Sequence, residues 1–219
     1  MDYLRSDDEQ AELLKQWLKK NGLGLIIAAS IGVGSVFGYQ EWQDFQINQQ
    51  TDAASRYQEL IELSAVNFAD PGTDEDYARL LTLAEGLRQT HADSNYAALG
   101  AGILAAQAVE RGDYDLAVSQ LNYAESTVGS PELRAMTALR LARLELELGQ
   151  ANVALSRIQS MVPSSLLAST SELEGDILVV LERLGEAREA YERAHVELIS
   201  KGFNSAVVDI KRSSLPEGS

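Results

Sequence analysis

Cysteine is absent from the 219 residues, which removes disulfides, thiol catalysis and thiolate metal centres together. Histidine is nearly absent: His91 and His195 stand far apart, and neither has a second ligand at metal-binding spacing. Only four prolines are present to interrupt helices, and the abundance of Ala, Leu, Glu, Arg and Gln favours helix over strand throughout. Positive charge is scarce as well, with 18 Lys and Arg against 33 Asp and Glu and a net charge of −15. Without a local basic stripe, a nucleic-acid backbone meets repulsion.

A catalytic constellation is missing too. The densest acids are Glu145 with Glu147, and Glu172, Glu174 and Asp176. Spacing of i, i+2 turns neighbours to different sides of a helix, so solvated faces are expected rather than an acid/base pair. Arg143 and Glu147, at i, i+4, suit an ordinary surface ion pair. His91, in LRQTHADS, belongs near a helix end, where it can meet the last carbonyls. No enzyme activity is expected, no cofactor or metal, and no small-molecule substrate.

What the chain does have is one long uncharged run. Gly22 to Tyr39 are 18 consecutive uncharged, mostly apolar residues, just long enough to cross a hydrocarbon core about 30 Å thick. The two tryptophans, Trp17 and Trp42, bracket the run, with Tyr39 beside the second. On a helix they stand about 37 Å apart, which suits aromatic rings at the two membrane interfaces. A buried core helix of this length would carry charges. A cleavable signal, releasing an exported enzyme, would need an n-region holding Asp2, Asp7, Asp8, Glu9 and Glu12, and no A-x-A site follows the run. A single transmembrane helix over residues 21–42 is therefore expected. Arg5, Lys15, Lys19 and Lys20 precede it, whereas the first basic residue after it is Arg56. This asymmetry places the N-terminus in the cytoplasm and the remainder outside.

Ser30, Gly34 and Gly38 recur every four residues, so they share a helix face on which another membrane helix can approach closely. Before the span, residues 1–20 read as a cytoplasmic amphipathic helix. Ser6 and Glu9 make its capping box, and Leu13, Leu14, Trp17 and Leu18 form one face.

From residue 43 to about 210 the chain is helical and self-similar. LAAQAVERGDYDLAVSQLNYA, LARLELELGQANVALSRIQSM and LVVLERLGEAREAYERA align on Gly112, Gly149 and Gly185, at periods of 37 and 36. Tetratricopeptide repeats have a nominal period of 34, each a helix, a turn and a second helix. Five residues after each glycine stands Ala117, Ala154 or Ala190, where the helices of a hairpin must approach. Ser94 and Ser130-Pro131-Glu132 supply helix starts. Upstream, residues 52–69 and 74–90 form a degenerate pair joined at Asp70-Pro71-Gly72. The fold class is all-α: one N-terminal transmembrane helix, then a tetratricopeptide-repeat-like α-solenoid of about eight helices with a concave face. Residues 211–219, ending in PEGS, read as a flexible tail. Tyr96, Tyr114 and Tyr123 are candidates for a partner groove. From Phe45 onward 14 basic residues face 26 acidic ones, so the domain repels anionic headgroups and attracts basic partners within about 10 Å.

These features together resemble the YfgM-like family of ancillary Sec translocon subunits. Three stretches carry the resemblance: EQAELLKQWLKKNG running into the glycine-rich span; NYAALGAGILAAQAVERGDYDLAV with LRAMTALRLARLELELGQANVAL; and SELEGDILVVLERLGEAREAYERA. The resemblance implies a bacterial inner-membrane protein with a periplasmic domain, associated with the SecYEG channel. It also implies pairing with a membrane-anchored periplasmic chaperone of the PpiD type, and help in passing exported client proteins onward. It supplies no catalytic residues, and the tail ending in PEGS diverges from the family's pattern. The architecture alone also suits an assembly scaffold for other envelope or division machinery.

Overall fold

The computed structural model describes residues 7–69, 73–161 and 166–216. Nine α-helices and no strand are found among them: α1 (Asp7–Ala69), α2 (Asp74–Thr90), α3 (Asn95–Glu110), α4 (Tyr114–Thr127), α5 (Pro131–Glu147), α6 (Ala151–Ser160), α7 (Leu167–Val180), α8 (Leu184–Ser200) and α9 (Ala206–Ser213). The chain divides into two units, Met1–Thr51 and Asp52–Ser219.

The amphipathic segment, the apolar run and the first helix of the repeat array are expected as separate pieces, yet α1 is continuous through all three. Its five mid-helix glycines each cost only about 1 kcal/mol relative to alanine, and no proline interrupts the stretch. The capping box expected at Ser6 and the turn expected at Asp70-Pro71-Gly72 fall outside the described residues.

In the second unit each helix from α2 onward packs against the next in chain order. Their starts are encoded locally. Thr73 and Asp76 form a reciprocal capping box on α2, Ser94 accepts from the Ala97 amide, and Ser130 with Pro131 opens α5. Leu60 of α1 joins Leu80 and Leu87 of α2 and Leu104 of α3 in one core, all essentially without exposure. Burying each such leucine contributes about 1.5–3 kcal/mol. Between later helices the core is built largely from alanine, with Ala108, Ala117, Ala142, Ala154, Ala187 and Ala190 all fully buried. Small side chains let these helices approach closely.

The repeat turns differ from expectation in one place. Gly112 and Gly149 both adopt φ 75°, the left-handed conformation in which glycine has no steric penalty. The third turn is made by Glu182 at φ 59°, and Gly185 lies inside α8. Hydrogen bonding confirms the equivalence. Gly112, Gly149 and Glu182 donate to Val109, Leu146 and Val179, while the residues following them donate to Ala108, Glu145 and Leu178. The same 6→1 closure recurs at Gly202 before α9. Turns therefore recur at 112, 149 and 182, and the third unit is four residues shorter than the second. Ala187, rather than Ala190, is the partner of Ala117 and Ala154 in this register, although both are fully buried.

That register exposes a compensating pair. Seven residues before and nine after each turn stand Ala105 and Leu121, then Ala142 and Ile158, then Gly175 and Tyr191. The larger Tyr191, only 3% exposed, fits because position 175 has no side chain. Its hydroxyl donates to Asp176 Oδ1 at 2.8 Å.

Lys211 to Ser213, expected in a flexible tail, belong to α9, and Leu215 is buried. Lys211 Nζ donates to Glu172 Oε1 and Asp176 Oδ2, each at 2.7 Å, tying α9 to α7. Its serines, Pro216 and Gly218 make this segment read as tail. Its carboxylate partners stand 39 and 35 residues upstream.

Candidate functional site

In the first unit, α1 contains a stretch long and apolar enough to cross a membrane. Ser30, Gly34 and Gly38 lie on one face of it, and a Cβ added at Gly34 or Gly38 would meet no atom within 4 Å. Trp17, Tyr39 and Trp42 are exposed, and the rings of Tyr39 and Trp42 are 6.0 Å apart.

The second unit holds its acids differently from the solvated faces expected. Glu145 is buried and accepts from Arg157 Nε and Nη2, at 3.1 and 2.8 Å, while Arg157 Nη1 also donates to Glu125. Hydrogen bonds to Glu145, opposed by burial, hold the Arg157 guanidinium above its ordinary value. Glu174 pairs with Arg193, and Glu172 and Asp176 share Lys211. Burial lowers the affinity of Lys211 for its proton, but hydrogen bonds to Asp176 and Glu172 outweigh it, so its pKa is raised. Glu125, Glu145, Glu172, Glu174 and Asp176 are each matched to a cation, which suits packing between helices.

The histidines are structural in the same sense. The main-chain N–H of His91 donates to the Leu87 carbonyl at the end of α2. Its buried ring places Nε2 2.8 Å from Asp52 Oδ2. That contact, together with Arg56, lowers the Asp52 pKa. His195 Nδ1 lies 2.8 Å from Asp209 Oδ1, without hydrogen-bond geometry. No cluster of three metal-ligating side chains occurs among the described residues.

The three tyrosines do not converge. Tyr96 packs against Tyr57, the rings tilted by 41° with centroids 5.6 Å apart. Tyr123 donates to the Ala92 carbonyl and lies under Arg88. Only Tyr114 is exposed, at the start of α4.

A groove lies instead between α3 and α5, with a volume of about 510 Å³, inside the range of ligand-holding clefts. Gly102, Ala106 and Val109 of α3 and Leu144 of α5 give it an apolar floor. Four charged side chains line it: Arg140, Arg143 and Glu147 of α5, and Glu110 of α3. Most arginines of this unit hold a carboxylate. None of these four groups takes part in the ion pairs found among the described residues, and the pair expected between Arg143 and Glu147 is not made. In the sequence, the i, i+3, i+7 series of Arg140, Arg143 and Glu147 marks one face of α5. Only the fold shows that α3 turns small residues toward it.

The tetratricopeptide repeat-like domain family model matches residues 15–217. A protein of Haemophilus influenzae named Ancillary SecYEG translocon subunit is 29% identical over 194 residues, covering 89% of this chain and 91% of that protein. Its namesakes in Escherichia coli and Aggregatibacter actinomycetemcomitans are 27% and 26% identical, covering 88% and 89% of this chain and 88% and 91% of theirs. A solved structure titled "MamA RS-1 ArsTM double mutant" aligns over 72% of this chain and 93% of that one, at 15% identity and a TM-score of 0.47.

Proposed function

Because the chain belongs to the tetratricopeptide repeat-like domain family, we propose that it is a non-enzymatic, membrane-anchored scaffold of the Sec translocon. In this reading α1 crosses the inner membrane once over residues 21–42. The lysines before the span keep residues 1–20 in the cytoplasm, and the repeat domain stands in the periplasm. There it binds partner proteins, a PpiD-type membrane-anchored chaperone among them, and assists the handover of exported clients.

The observation that carries the proposal is the agreement of two independent features. One chain joins an apolar helix to a repeat domain, and nearly nine-tenths of its length matches relatives named for the translocon.

Purification from membranes in mild detergent tests the association directly. The SecYEG channel and a periplasmic chaperone are expected to co-purify with the full chain, and recovery of neither sinks the proposal. Photoreactive residues introduced on the repeat domain name the neighbour, and crosslinks to division or envelope-assembly proteins alone replace the translocon with that machinery. In intact spheroplasts, external protease is expected to degrade the region after Trp42. Its protection reverses the topology.

A further inference from the structure

The groove between α3 and α5 has an order to its charges. Successive antiparallel hairpins make α3 and α5 run in the same direction. Arg140 lies level with Gly102, since a Cβ added there would stand 3.3 Å from Arg140 Nη1. Arg143 follows one turn further along, and Glu147 and Glu110 lie at the far end. The groove is therefore basic toward the N-terminal ends of its two walls and acidic toward their C-terminal ends. From Gly102 to Glu110 is about 12 Å along α3, or roughly two helical turns.

An α-helix carries partial positive charge at its N-terminus and partial negative charge at its C-terminus. Laid antiparallel to α3 and α5, its N-terminus meets Glu110 and Glu147 and its C-terminus meets Arg140 and Arg143. Gly102 is covered by the Arg140 guanidinium, but the exposed Ala106 keeps the rest of the floor low enough for a helix backbone to come close, while Val109 and Leu144 line it with apolar surface. Laid the other way, both ends meet like charge.

We propose that this groove receives an amphipathic helix of a partner protein, antiparallel to α3 and α5, with a basic N-terminal turn and an acidic C-terminal turn. This rests on the scaffold reading and names the chemistry of one partner segment. It also departs from what the net charge suggests, since an acidic domain as a whole favours basic partners irrespective of their charge order.

The absence of cysteine gives a clean probe. Met136 of α5 is exposed and stands about one turn before Arg140, outside the groove lining. The full chain carrying a fluorophore at Met136→Cys is titrated with two peptides. One is a two-to-three-turn peptide held helical by a hydrocarbon staple, with lysines in its first turn, glutamates in its last and leucines at i, i+3, i+4 and i+7; the other, stapled in the same way so that the two are equally helical, exchanges the lysines and glutamates. The first peptide should bind about tenfold more tightly, a preference set by end charges and falling with salt. Exchanging the groove charges, with Arg140→Glu, Arg143→Glu, Glu110→Lys and Glu147→Lys together, should reverse the preference. Should that variant fail to fold, Ala106→Trp fills the exposed floor and should abolish binding with the helical circular dichroism unchanged. Equal binding of both peptides, or binding of neither, overturns the proposal. Co-purification of the channel by the wild-type chain reports on the scaffold reading separately, so the two fail independently.

Discussion

Replacing Gly175 with alanine puts a methyl carbon 2.4 Å from Cε1 and 2.6 Å from Cδ1 of Tyr191. The ring has little room to retreat, being 3% exposed and held by its hydroxyl to Asp176. Overpacking of this kind costs typically ~1–3 kcal/mol, and shifting the ring endangers a hydrogen bond worth about 1 kcal/mol. Against this, alanine gains about 1 kcal/mol over glycine within a helix. The net expectation is a destabilisation of ~1–3 kcal/mol, or a fall in melting temperature of about 2–12 °C for a domain of this size. Gly86→Ala is the control, because its nearest atom would be Arg56 Nη1 at 4.0 Å; only the gain of about 1 kcal/mol operates there, raising the melting temperature by about 2–4 °C. In a Tyr191→Leu background, Gly175→Ala recreates the Ala105 and Leu121 pair of the first repeat and should stabilise. The assay is thermal unfolding of the full chain in detergent, followed by circular dichroism. If Gly175→Ala raised the melting temperature as Gly86→Ala does, the register of the third repeat would be refuted.

Turn geometry offers a second contrast: Gly149→Ala, at φ 75°, should cost about 1 kcal/mol, whereas Glu182→Gly should gain about 0.5 kcal/mol because its strain is already present, both read as shifts in denaturation midpoint. The raised pKa of Lys211 means its ion pairs are fully present below the ordinary lysine value of about 10.4 and are lost as pH rises through the higher folded-state value. A spin label at Val207→Cys should therefore gain mobility in strong alkali, and Lys211→Arg should delay that gain, since arginine stays charged there. Replacing both Gly34 and Gly38 with leucine should weaken helix association in the membrane while leaving insertion intact, as judged by crosslinking yield and by resistance of the protein to alkaline extraction. Unchanged crosslinking would remove the small-residue face from consideration.

Most helices were legible because their signals are local. Serine caps, the proline at the start of α5 and two turn glycines lie within a few residues of what they determine. The third turn was not legible, because a left-handed Glu182 has no sequence signature and Gly185, three residues on, imitates the expected one. Ion pairing was hidden for another reason. Glu145 and Arg157 are 12 residues apart, and Lys211 and Asp176 are 35 apart, so charges that look solvated in the chain meet only after the hairpins have stacked. The groove combines both cases: Arg140, Arg143 and Glu147 mark a face of α5, but the small residues opposite come from another repeat.

The exchange of alanine and leucine for Gly175 and Tyr191 also constrains how such an array can change over time. Repeats are commonly treated as interchangeable modules, gained or lost by duplication. Here a crossover between positions 175 and 191 that joined α7 of the third repeat to the second helix of the first would pair glycine with leucine and leave a void. The reciprocal product would press tyrosine against alanine. Recombination is tolerated only where it carries both positions together, so the unit of inheritance in this array is the whole hairpin, and relatives should vary at the two sites in concert.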